Sequence, residues 1–104
     1  MEYQFREYVI HPGRADQFAA EWAADVKPLR ESAGFVIAGA WVLPSQDKFV
    51  WILGWPGPGT LASADSQYYE SPGRSKLDPD PARLITVAEE ITPVIDALQI
   101  APIL

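Results

Sequence analysis

A chain of 104 residues, 48% hydrophobic and 21% charged, can build one small core and is too apolar to stay disordered. Its formal net charge of -6 opposes nucleic acid and anionic lipid, both of which need clustered Lys and Arg, and the lack of cysteine excludes disulfides, thiolate nucleophiles and thiolate metal sites. The longest apolar stretch, residues 33–43, falls far short of the roughly 20 residues that cross a bilayer. The start of the chain alternates instead of forming a basic-then-apolar leader, so a cytoplasmic protein of one domain, residues 1–104, is expected.

From Tyr3 to His11 the residues alternate, with Tyr3, Phe5, Glu7, Val9 and His11 on one side and Gln4, Arg6, Tyr8 and Ile10 on the other, as in a strand. Pro12-Gly13 breaks the pattern. Ala15, Phe18, Ala19, Trp22, Val26 and Leu29 then recur every three or four residues, which predicts an amphipathic helix. Its polar side carries Arg14, Asp16, Gln17, Glu21, Asp25 and Arg30; Pro28 is expected to kink or loosen its last turn, and Ala33-Gly34 ends it.

Residues 35–42 and 49–55 read as two strands joined by a polar loop, Pro44 to Lys48. Alternation places Phe35, Ile37, Gly39 and Trp41 together on one face of the first, and Phe49, Trp51, Leu53 and Trp55 together on one face of the second. Neither strand has a polar face, so both need cover on two sides. Thr60 is placed to cap a helix over Leu61 to Glu70, and Ser71-Pro72 to start one further turn through Leu77, before Asp78-Pro79-Asp80-Pro81 forbids helix. Residues 84–95 fit strand and helix nearly equally. Pro93 decides for a fourth strand, with an edge or bulge at the proline, followed by an apolar tail over residues 97–104.

The order strand, helix, strand, strand, helix, strand predicts an α+β, ferredoxin-like βαββαβ fold, with a four-stranded antiparallel sheet and two helices on one face. The other face stays apolar and uncovered, and a second copy is its simplest cover. A homodimer forming a dimeric α/β barrel is therefore expected.

FREYVIHPGRADQFAAEW, the strand pair GFVIAGAWV and KFVWILGW, and YYESPGRSKLDPDPARLI together resemble the NIPSNAP family of the dimeric α/β-barrel superfamily, along nearly the whole chain. The resemblance implies this same fold and dimer and little about activity, because the wider superfamily spans cofactor-independent monooxygenases, haem-degrading enzymes, polyketide cyclases and modules that only bind or assemble.

Four polar residues are candidates for catalysis. His11 is the lone imidazole and could act as a base at a cavity mouth, although a strand-end histidine is more commonly a turn residue. Tyr69 could hold a carbonyl or enolate oxygen. Arg6 and Glu89 complete the set. Tyr8, Trp41, Trp51, Trp55, Tyr68 and Arg74 are the candidates for binding a small apolar or aromatic molecule, against the plainer reading that the rings are core. Glu7 is expected to form an ion pair, with Arg14 or with a residue of a second subunit, and Asp78 and Asp80 to be turn residues. No cluster of metal ligands is readable, and no cofactor is expected. The functional reading is a small-molecule-binding protein, with cofactor-independent catalysis of the monooxygenase or cyclase type in view. The alternatives are a non-catalytic dimerisation module and haem binding through His11 or a tyrosine.

Overall fold

The computed structural model describes the backbone over residues 1–91 and side chains over residues 1–88. Pro93 and the apolar tail lie outside the described residues. β1 (Glu2–Ile10) leads through the Pro12-Gly13 turn into α1 (Ala15–Glu21), a π turn (Trp22–Val26) and α2 (Lys27–Ser32); β2 (Val36–Leu43) and β3 (Lys48–Trp55) follow. After these come α3 (Leu61–Glu70), a single turn α4 (Pro72–Ser75), a 3-10 turn (Pro81–Leu84) and β4 (Ile85–Ile91). The strands form one antiparallel sheet in the order β2-β3-β1-β4, the expected βαββαβ arrangement.

The expected first helix is one helical run interrupted by the π turn. Pro28 lies just beyond that turn, in the first residues of α2. With no N–H, Pro28 cannot bond one turn back, and the run accommodates this by widening before the proline and starting afresh after it. The run ends in a Schellman motif: Phe35 N–H donates to the Arg30 carbonyl (3.0 Å) and Gly34 N–H to that of Glu31 (3.1 Å). Gly34 occupies the left-handed position there, at φ 99°. The motif fixes Phe35 against Arg30, with the guanidinium carbon 4.8 Å from the ring centroid.

Alternation in β1 and β3 holds. Arg6, Tyr8, Ile10, Phe49, Trp51 and Leu53 are buried on the helix-covered side, packed with Phe18, Trp22, Val26, Phe35, Leu61, Ala64 and Tyr68. In β2 it fails. Ile37 pairs with Leu53 but Gly39 pairs with Ile52, a one-residue shift that opposes two residues of β2 to one of β3. Beyond this bulge every side chain changes face, so Trp41, opposite Val50, stands on the side left uncovered by the described helices, at 52% exposure and not beside Trp51. The expectation that Trp41 shares a face with Phe35 and Ile37 is thereby corrected.

Thr60 caps α3 as expected, its hydroxyl accepting from Ser63 N–H at 3.1 Å, and Ser71 caps α4, which ends at Ser75 and not at Leu77. Asp80 does more than turn the chain: it caps the 3-10 turn through Ala82 N–H (2.9 Å) and pairs with Arg74 (3.0 Å). Glu7, on the uncovered face, pairs with Lys48 at 3.5 Å, which replaces the expected Arg14.

Candidate functional site

The polar centre of the molecule is an aspartate held between two arginines. Arg6 comes from the covered face of β1, Arg30 from the last turn of α2 and Asp65 from the middle of α3. Arg30 Nη1 donates to Asp65 Oδ1 at 2.6 Å and Arg6 Nη2 lies 3.0 Å from Oδ2, while both guanidiniums are only 1% exposed. Arg6 Nε also donates to Gln4 Oε1 at 2.7 Å. Ion pairs this deep persist only where geometry and further hydrogen bonds offset the loss of hydration.

Aromatic rings enclose the cluster. The Arg30 guanidinium carbon lies 3.8 Å from the Tyr68 ring centroid, 5.2 Å from Tyr69 and 5.5 Å from Trp51, and Arg6 lies 5.4 Å from Trp51. Arg30 Nη2 also reaches the Tyr69 hydroxyl at 3.3 Å. Burial holds the Tyr68 and Tyr8 hydroxyls above the usual phenol range, more strongly than Arg30 and Arg74 (for Tyr68) or Arg6 (for Tyr8) lower them. Both phenols are therefore neutral near pH 7. Burial acts against the Arg6 charge, but the Asp65 carboxylate, through its field and its hydrogen bond, outweighs it and keeps Arg6 charged.

Beside the cluster a half-open cavity of ≈ 40 Å³ lies between sheet and helices. Of its lining residues Tyr8, Phe18, Trp22, Val26, Arg30, Trp51, Tyr68 and Pro81 are buried, Arg74 and Ile85 half-buried, and Tyr69 and Ala82 exposed. At about 10–15 Å³ per water molecule, this accepts a group of roughly three heavy atoms and not a whole ring system, for which pockets run to about 300 Å³ or more. Trp22 Nε1, Arg30 Nε and the Tyr68 hydroxyl are buried with no hydrogen-bond partner among the described residues, and all three residues line this cavity.

The structure thus brings together Arg6, Tyr8, Trp51, Tyr68, Tyr69 and Arg74 of the residues singled out in the sequence. It separates the others. His11 lines a different surface hollow with Pro12, Arg14, Gln17, Arg83 and Leu84. Trp41 is on the far face. Trp55 packs on Phe35 at 4.9 Å and donates to the Pro58 carbonyl at 3.0 Å, away from the cavity. Glu89 is the register partner of Glu7, and its side chain lies outside the described residues.

Arg30, Asp65 and Trp22 are the site residues that sequence reasoning missed. Arg30 was expected on the polar side of its helix; it is buried because it follows Trp22 and Val26 at steps of four, on the same stripe. Asp65 lies four after Leu61 and three before Tyr68, a carboxylate on the sheet-facing side of α3, and that position was the available signal for a buried partner.

No family model matches the chain, and no curated protein does. Solved structures do. A NIPSNAP family protein of unknown function from Agrobacterium tumefaciens superimposes with a TM-score of 0.79 at 18% identity, over 100% of this chain and 94% of that one. A NIPSNAP domain protein from Burkholderia xenovorans superimposes at 0.77 and 16%, covering 93% and 96%. A putative antibiotic biosynthesis monooxygenase from Bacteroides thetaiotaomicron follows at 0.68 and 14%, covering 96% and 95%. The chain has the ferredoxin-like α+β fold of these proteins. Its structural neighbours include NIPSNAP proteins, the family that the sequence resembles.

Proposed function

We propose that this protein binds a small aromatic molecule in the cavity between its sheet and helices, and does so as a homodimer whose subunits pack through their uncovered sheet faces. The observation that carries the reading is the cavity wall: tryptophan and tyrosine rings around a fixed guanidinium, with buried polar groups left to be satisfied. Apolar walls with a few placed polar groups are the usual composition of a ligand site. The cavity's size confines the ligand's polar end to the interior and leaves its ring at the more exposed lining residues Tyr69, Ala82 and Ile85. The dimer rests on Val36, Trp41 and Val87, apolar side chains exposed at 38%, 52% and 47% on strands β2 and β4.

Catalysis without a cofactor is the second reading, and one observation favours it: Arg30, Tyr68 and Tyr69 are placed to stabilise an enolate or phenolate oxygen. A base is harder to find. Among the described lining residues there is no imidazole or carboxylate, so such a reaction would need a substrate that ionises readily by itself.

Isothermal titration calorimetry against one- and two-ring aromatic acids, amides and ketones tests the binding reading. At least one compound is expected to bind once per subunit, and Ala82→Phe, a change at an exposed lining residue, is expected to abolish that binding while leaving Tm within a few degrees. Binding that ignores Ala82→Phe, or no binding across the panel, would contradict it.

A further inference from the structure

The donors and acceptors around the cavity are unequally supplied. Arginine has no acceptor and tryptophan only a donor, so Arg30 Nε and Trp22 Nε1 can be satisfied only by an acceptor. Tyr68 can give its proton as well, and the two phenols stay protonated, so neither provides the negative charge that would meet Arg30 from within. Asp65 divides its two oxygens between Arg6 and Arg30, and Asp80 is occupied by Arg74 and by Ala82 N–H. An unpaired buried donor costs more than a hydrogen bond returns, and more still when it belongs to a cation. The chain's net charge of -6 makes this a local device and not a reflection of general basicity.

We infer that the cavity is an oxyanion subsite: it takes the carboxylate, enolate or phenolate end of an aromatic ligand, with Arg30 Nε, Trp22 Nε1 and the Tyr68 hydroxyl donating to it. This rests on the binding reading above and adds the charge of the ligand. The volume agrees, since ≈ 40 Å³ accepts a group of about three heavy atoms such as a carboxylate. Arg30 is suited to the task because its other nitrogens are already fixed, Nη1 by Asp65 and Nη2 by Tyr69, leaving Nε to the ligand in a set orientation.

Matched pairs separate the two claims. Calorimetric titration with 2-naphthoate and 2-naphthamide, and with benzoate and benzamide, is expected to show the acid bound at least roughly ten-fold more tightly, the size of one hydrogen bond to a charged group. Tyr68→Phe, which deletes a buried hydroxyl that bonds to no described residue, is expected to keep Tm within a few degrees or raise it and to weaken the acid by about ten-fold and the amide by clearly less. Equal binding of acid and amide would overturn the oxyanion subsite while leaving the aromatic cavity standing. Acid binding indifferent to Tyr68→Phe and to Ala82→Phe would move the site elsewhere, to Arg14 and Arg83 for instance, and overturn the assignment. Failure of both acid and amide to bind would overturn both claims and make the donors water-satisfied parts of the core.

Discussion

At the scale of single residues, Asp65 is the keystone of the site. Removing it leaves Arg6 and Arg30 buried without the carboxylate they share, so Asp65→Ala is expected to cost about 3–5 kcal/mol in urea unfolding. A change below 1 kcal/mol would show that the cluster is better hydrated than its burial implies. Asp80 supplies a pH-dependent contribution. Burial raises its pKa, but Arg74 and the Ala82 amide more than offset this, and the folded carboxyl titrates below its ordinary 3.8. Its stabilisation is therefore complete above that value and fades as pH falls through the lower, folded one. Asp80→Ala is expected to cost about 1 kcal/mol at pH 7, mostly through the lost cap because the pair is partly exposed, and the difference from the parent should shrink as pH falls through the lowered pKa of the folded carboxyl. A gap that widened in acid would contradict the assignment. The sequence shows only part of each role: for Asp80 its place in a turn, for Asp65 its position on the sheet-facing side of its helix. A cap signals itself locally, but the Arg30–Asp65 pair joins residues 35 apart, and only the packing of α2 against α3 makes them neighbours.

At the scale of elements, α3 was the most legible, because Thr60 and the spacing of Leu61, Ala64 and Tyr68 act within one segment. β2 was legible as a strand but not in its facing. A bulge is a property of a strand pair, and Ala38-Gly39-Ala40 carries no side chain large enough to reveal which residue is extra. Gly39 is the position to test. A Cβ there would meet the Trp41 ring, so Gly39→Ala is expected to lift the indole off the sheet. Trp41 is half-exposed in the single chain, so under dilute, monomeric conditions the expected signs are a red-shifted emission component and a stability loss of about 1 kcal/mol, the middle of the range for single substitutions. An unchanged spectrum would mean that Trp41 does not lie over the bulge. The π turn escaped notice for a related reason: Pro28 announced a disturbance, but the chain absorbed it upstream of the proline.

At the scale of the whole molecule, the sequence already held the argument for an uncovered apolar face, and the bulge strengthens it by adding Trp41 to that face. Trp41→Glu is expected to convert dimer to monomer in sedimentation, by at least 2 kcal/mol, about 30-fold in the dissociation constant, without loss of fold because Trp41 is outside the core. A parent chain that is monomeric at high concentration would contradict the dimer. The cavity depends on the other face and should survive monomerisation.

The four tryptophans allow a ligand site between sheet and helices to be tested in one experiment. Trp22 and Trp51 line the cavity, Trp41 lies on the uncovered face, and Trp55 is tied to Pro58. In a 1H-15N spectrum recorded during titration with 2-naphthoate, the indole signals of Trp22 and Trp51 and the Arg30 Nε–H are expected to shift together and saturate at one ligand per subunit, while Trp41 and Trp55 stay in place. Shifts confined to Trp41 or Trp55, or a spectrum that does not move, would contradict the account.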